Sequence, residues 1–187
     1  MNGNEEVRST RAQPAELPPT AALVERFQQR VGSYLLRLVG DLDAALLLAE
    51  HTFVRAHRAG LSIERGLFAQ TWLYRVATQL AFAQLRGQQP NARNDYLSTR
   101  RDRRRVLAED REVVRAVLAQ LSPDERAVLL LCDGERLSKA EVAVILGGSA
   151  ERIEWLLERA RTRFRQLHLL EHTLAQRNPN GAATTHT

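Results

Sequence analysis

The stretch Leu121–Arg165, LSPDERAVLLLCDGERLSKAEVAVILGGSAERIEWLLERARTRFR, decides how the rest of the chain is read. Ser122 stands at an N-cap, Pro123 takes the first helical position, and Asp124 and Glu125 place acid in the first turn, where the helix dipole favours it. Ala127, Val128, Leu130 and Leu131 give that helix a buried side. A second start follows at Ser138, with Glu141 three residues on as its capping-box partner, and Val142, Ile145 and Leu146 form the apolar stripe. The pair Gly147-Gly148 stops it. Ser149 caps a third helix, in which Ile153, Leu156, Leu157, Ala160 and Phe164 recur at helical spacing. Short helices broken by a glycine turn, the last running into a longer basic helix, outline a helix-turn-helix.

Working outward, the chain of 187 residues has room for one or two compact domains, and 44% hydrophobic residues suffices for modest helical cores. Aromatics are few, glycine falls mostly at joints, and no strand-like alternation persists, so the fold class is all-α. The formal charge of +5 is carried by arginine, Lys139 being the only lysine. Such a balance suits a phosphate backbone or an acidic protein partner and selects neither. Cys132 is the only cysteine, which excludes an internal disulfide and a cysteine-based zinc site and fits a reducing compartment. The opening MNGNEEVRST has no apolar signal region, and the longest apolar runs, Ala44–Ala49 and Ala127–Cys132, fall far short of the ~20 residues that span a bilayer. The expectation is a cytoplasmic, soluble protein with no membrane insertion.

Upstream, residues 1–20 are rich in proline and polar groups and read as a disordered tail. Leu23, Phe27, Val31, Tyr34, Leu35 and Leu38 recur at spacings of three and four, giving an amphipathic helix that ends around Gly40. Asp41 or Asp43 caps the next, which stops at Gly60. A third spans about Gly66 to Arg86, with Leu73, Val76, Ala77 and Leu80 inward. Three helices of this length close a small bundle.

Two sets of residues now point to one family. LSKAEVAVILGGSAERIEWLLERAR resembles the promoter-reading module of bacterial extracytoplasmic-function sigma factors, through Leu137, Ser138, Glu141, Val142, Ala143, Leu146, Gly147, Ser149, Ile153, Leu157, Arg159, Ala160 and Arg161. YLLRLVGD (Tyr34 to Asp41), TFVRAHRA (Thr52 to Ala59) and WLYRVA (Trp72 to Ala77) are similar to the YLLRLVGD, TFLRAWRA and WLYRIA of the same family's other module. The resemblance implies an N-terminal three- to four-helix sigma region-two bundle at 21–87, a flexible basic linker at 88–109 and a C-terminal helix-turn-helix, sigma region-four domain at 110–173, with a second disordered tail at 174–187. The linker ends in arginines at 100, 101, 103, 104 and 105; they are either solvated or set against phosphates.

Function follows from the resemblance as an expectation: an RNA polymerase sigma factor directing promoter recognition and initiation, with core RNA polymerase, promoter DNA and an anti-sigma or other regulatory protein as partners, and with no cofactor or metal. Leu47, Glu50, His51 and Phe53 fall where the family meets polymerase. Trp72, Arg75, Gln79, Phe82 and Arg86 share one helix face, on which aromatics interleaved with guanidinium groups suit stacking of unpaired bases in an opened promoter. Ser138, Ser149, Arg152, Glu154, Trp155, Arg159, Arg161 and Arg163 are the candidate DNA contacts.

Departures from the family mark a second reading. The acidic DAED segment of the family is AALLLAEH here, Ala44 to His51. From Ser149 to Glu158, Arg152 stands against Glu151, Glu154 and Glu158, and the family's Lys-Ser-Arg positions hold Glu154, Trp155 and Leu156. Leu46-Leu47 and Trp155-Leu156 therefore suggest surfaces that pack against each other or against a regulatory protein, unless they are ordinary divergence. A sigma-like interaction module that has lost promoter reading is the alternative function. HLLEH, His168 to His172, matches the H-x-x-E-H zinc-peptidase pattern formally, but its place near the end of an exposed helix argues against an enzyme.

Overall fold

The computed structural model describes residues 20–87 and 105–177, with the side chains of 105–111 and 174–177 left aside. Residues 1–19, 88–104 and 178–187, which hold most of the two tails and of the linker read from the sequence, lie outside the described residues, whereas Thr20 is buried and 174–177 belong to a helix. Within them the chain is helical: α1 Ala21–Val39, α2 Leu42–Arg58, α3 Leu67–Gly87, α4 Arg105–Gln120, α5 Pro123–Leu129, α6 Lys139–Leu146 and α7 Ala150–Arg177, with a 3-10 turn at Ile63–Arg65 and a π turn at Leu130–Gly134. α4 begins inside the stretch read as the end of the linker, and α7 continues beyond residue 173.

The first three helices form where the apolar spacing places them. All six positions of the α1 stripe are buried, each contributing about 1.5–3 kcal/mol against the entropy of ordering the chain. α1 ends at Gly40, whose φ of 80° is the left-handed cap. The Asp41 carboxylate then starts α2 by accepting from the Ala44 amide at 2.7 Å. α3 is the centre of the molecule. It buries Ala69, Leu73, Tyr74, Val76, Ala77, Thr78 and Ala81, roughly 200° of its circumference at 3.6 residues per turn. α1 and α2 pack on part of that arc and α6 on another part. Tyr74 meets Tyr34 of α1 edge-on, ring centroids 5.3 Å apart, and the Tyr34 and Thr78 hydroxyls share a 2.7 Å hydrogen bond.

The second group of helices is set by three caps. Ser122 with Glu125 and Ser138 with Glu141 form reciprocal capping boxes at the starts of α5 and α6. The Ser149 hydroxyl accepts from the Arg152 amide at the start of α7. Gly147 and Gly148, with φ of 75° and 148°, make the sharp turn between α6 and α7 that a side chain would strain. Between α5 and α6 the helix widens. The Glu135 amide reaches back to the Leu130 carbonyl and that of Leu137 to Leu131, and Arg136 takes a left-handed φ of 61°.

A single hydrophobic core runs from Leu23 on α1 through Tyr74 on α3 to Val128, Val142, Ile153 and Ala160. The two groups of helices therefore pack together, though not by the surfaces the sequence suggested. Leu46, Leu47 and Trp155 are 59%, 53% and 60% exposed. Their contact is replaced by α3 against α6, and by α1 against α4, α5 and the π turn. The reason is that α6 and α3 carry small and β-branched residues (Ala81, Val142, Ala143, Ile145) that allow close approach, whereas Leu46, Leu47 and Trp155 lie on helix faces pointing away.

Candidate nucleic-acid and polymerase interfaces

On α3 the proposed strand-capturing face is open. Arg75, Gln79 and Arg86 are exposed, while Trp72 and Phe82 are half-buried against the core. The five residues thus share one side of α3, the aromatic pair half-buried and the three polar side chains exposed. On α2, Leu47, Glu50 and His51 are exposed and Phe53 is half-buried against the core. Only the first three of these are available to a partner without rearrangement.

In the helix-turn-helix the candidate DNA residues divide by partner. Ser138 and Ser149 spend their hydroxyls on helix caps. Glu154 of α7 is tied to Lys139 of α6. Arg159 lies 3.1 Å from the Glu125 carboxylate and Arg163 3.5 Å from it. Arg161 donates to both oxygens of Asp133, at 2.7 and 3.1 Å, and to Glu158. The Asp133 bonds raise the Arg161 pKa well above its ordinary value, so its charge is permanent. Arg152 and Trp155 remain exposed on the first turns of α7, and the Arg159 guanidinium covers the Trp155 ring at 5.3 Å. A shallow groove lined by Trp155, Glu158, Arg159, Thr162, Arg163 and Gln166 continues along the helix.

Glu125 is the hinge of this arrangement. Its side chain is 1% exposed. Burial alone would raise its pKa, but the Ser122 amide and hydroxyl and the charges of Arg163 and Arg159 outweigh that and hold it below the ordinary carboxylate range. Sequence spacing identified Glu125 only as a first-turn acid, and its long-range partners could not be read from local pattern.

Two groups that sequence reading missed join the halves. The Glu135 side chain, 5% exposed, accepts from the Tyr74 hydroxyl at 2.5 Å and from Arg30 at 3.1 Å and Arg37 at 3.4 Å. Burial pushes the Tyr74 phenol far above its ordinary pKa, so it remains the donor. The Arg126 guanidinium, buried on α5, donates to the carbonyls of Leu38, Ala119 and Leu121.

The HLLEH stretch gives a stack rather than a pocket: Phe164, His168 and His172 follow one another at 6.0 and 6.2 Å between ring centroids. Among the described residues no group of three or more histidine, cysteine or acidic side chains is placed to hold a metal ion. No described helix is long and apolar enough to cross a membrane.

Two family profiles match this chain in order: "Sigma-70 region 2" over residues 23–90 and "Sigma-70, region 4" over residues 111–164. The chain belongs to the sigma-70 family. Within it, this sigma factor groups with the extracytoplasmic-function type. It is 30% identical to the ECF RNA polymerase sigma factor SigE of Mycolicibacterium smegmatis, over 85% of this chain and 65% of that protein. It is likewise 30% identical to the ECF RNA polymerase sigma factor SigG of Mycobacterium tuberculosis, over 84% and 50%. RNA polymerase sigma factor YlaC of Bacillus subtilis is 27% identical over 74% of this chain and 86% of its own. The chain thus spans half to just under two thirds of the first two relatives. Its fold is similar to that of the sigma factor RpoE, solved in complex with the anti-sigma factor NepR from Bartonella quintana, with a TM-score of 0.62, 18% identity, and coverage of 78% of this chain and 94% of that one. Sigma factors are non-enzymatic transcription initiation factors.

Proposed function

We propose that this chain acts in the cytoplasm as a non-enzymatic promoter-specificity subunit: the region-two helices dock on core RNA polymerase and hold the unpaired promoter strand, and the helix-turn-helix reads an upstream element. The observation that carries this reading is the co-occurrence, in order, of both sigma-70 regions, together with two open faces suited to nucleic acid. One is Arg75, Gln79 and Arg86 on the side of α3 that they share with half-buried Trp72 and Phe82; the other is Arg152 and Trp155 at the start of α7. In a helix-turn-helix the first turns of the second helix meet base edges in the major groove, and a guanidinium there can read guanine through two hydrogen bonds.

Polymerase docking falls to α2 through Leu47, Glu50 and His51. An anti-sigma or other regulatory protein is a further partner on this reading.

A second reading has its own observation. Arg159, Arg161 and Arg163 already face carboxylates, Glu154 is held by Lys139, and Trp155 stands exposed. Those features favour a sigma-like module that binds protein in place of promoter DNA.

Affinity capture with core RNA polymerase followed by run-off transcription separates the two. Association with promoter-dependent initiation supports the first. Association without initiation supports the second.

A further inference from the structure

α1 carries arginines along one edge of its buried stripe. Arg26, Arg30 and Arg37 fall within roughly 40° of one another at 3.6 residues per turn. All three are exposed. The guanidinium groups of Arg26 and Arg30 lie over the Phe27 ring at 5.7 and 5.8 Å, which braces them in a row. One anion occupies this row. Glu135, carried on the turn after the π segment of the other half, sets one carboxylate oxygen 3.1 Å from Arg30 Nε and the other 3.4 Å from an Arg37 terminal nitrogen. Arg30 also donates to the Glu135 backbone carbonyl at 3.4 Å.

The geometry points to a binding site that Glu135 fills in place of its real ligand: the Arg26, Arg30 and Arg37 row is a docking surface for the phosphodiester backbone of nucleic acid, masked while the two halves are packed. A carboxylate and a phosphodiester are both monoanions that present two equivalent oxygens, and here each oxygen of Glu135 has its own arginine. Guanidinium forks suit such a group through charge-assisted hydrogen bonds. The Glu135 side chain lies almost out of water because the Tyr74 hydroxyl and the packed halves enclose it. The arginines keep 43% of their side-chain surface. The exposed side of the pair is therefore the one that stays ready when the carboxylate leaves. This inference rests on the sigma-factor reading and adds to it a third nucleic-acid surface, available only when the region-four half swings off α1.

The test uses the full chain with Glu135→Ala and Glu135→Gln, each with and without Arg30→Ala/Arg37→Ala, against fluorescent duplex DNA, single-stranded DNA and a polyglutamate peptide over a range of salt. The Gln variant keeps an acceptor for Tyr74 and serves if the Ala variant does not fold. Removing the carboxylate is expected to tighten DNA binding at least tenfold at low salt. It is also expected to steepen the dependence of log affinity on log salt by about 1.4–1.8, the value for two added phosphate contacts on single strands or duplex. The double arginine substitution should abolish both changes. Unchanged affinity, a gain that survives the loss of the arginines, or an equal gain toward polyglutamate would overturn the inference. Co-elution with core polymerase, measured on the same proteins, keeps the outcomes apart: retained co-elution with unaltered DNA binding sinks this inference alone.

Discussion

The Arg126 guanidinium on α5 donates a 2.6 Å hydrogen bond to the carbonyl of Leu38, in the last turn of α1, 88 residues earlier. A second nitrogen of the same group donates to Ala119 in the last turn of α4 and to Leu121 just beyond it, at 3.0 and 3.1 Å. Helix C-termini leave carbonyls without partners and carry partial negative charge. One cation satisfies two such ends and ties the halves of the molecule. Burial lowers the Arg126 pKa somewhat, but the group stays charged.

Arg126→Met is therefore expected to cost about 3 kcal/mol, because several buried carbonyls lose their donor at once. Arg126→Lys should rescue only part of this, since a point charge cannot replace a planar fork. Urea unfolding of the three proteins measures the difference. A loss below about 0.5 kcal/mol would show that water replaces the guanidinium.

Gly147→Ala tests the turn that aims the reading helix. At a φ of 75° a side chain is strained, and the expected destabilisation is about 1 kcal/mol or more. Thermal unfolding reads it directly. Gly148→Ala should behave similarly, since its φ of 148° is likewise one that a side chain strains.

Acid should weaken the join between α5 and α7. The folded-state pKa of Glu125 lies below its unfolded value, so the stability it contributes is present above about pH 4.3 and is lost as pH falls through the lower folded value. Glu125→Gln, which keeps the capping geometry, should flatten the stability curve of the protein below about pH 4. Urea midpoints at pH 7 and pH 3 check this: the wild type should lose more than the variant over that interval.

Trp155 is 60% exposed, and Trp155→Ala should change stability by no more than about 0.5 kcal/mol. On the proposed function the same change lowers promoter-dependent transcription while leaving association with core polymerase intact. Run-off assays beside polymerase co-elution measure the two effects separately.

Much of the fold was legible in the sequence because its determinants are local. The α1 stripe, the Asp41 cap, the boxes at Ser122 and Ser138 and the Gly147-Gly148 stop each lie within a few residues of the element they define. The joining of the halves was not legible. Glu135 sits in a turn with no periodicity, and its partners Tyr74, Arg30 and Arg37 are 61 to 105 residues away. Arg126 has the spacing of an ordinary solvated helix residue. The arginines on α7 illustrate the same limit. Their sequence marks a basic helix, but only the packing of α5 and the π turn brings Glu125 and Asp133 against Arg159, Arg161 and Arg163. Leu46-Leu47 and Trp155-Leu156 failed as a mutual contact because apolar character records a preference for burial without naming the surface that supplies it.

The most direct measurement is size-exclusion co-elution of the full chain with core RNA polymerase across a salt series, followed by run-off transcription of the complex on genomic fragments with mapped 5′ ends. We expect a stable complex at moderate salt and new, discrete start sites that the core enzyme alone does not use. Failure to form any complex, even at low salt, would contradict the assignment of this chain to promoter-directed initiation.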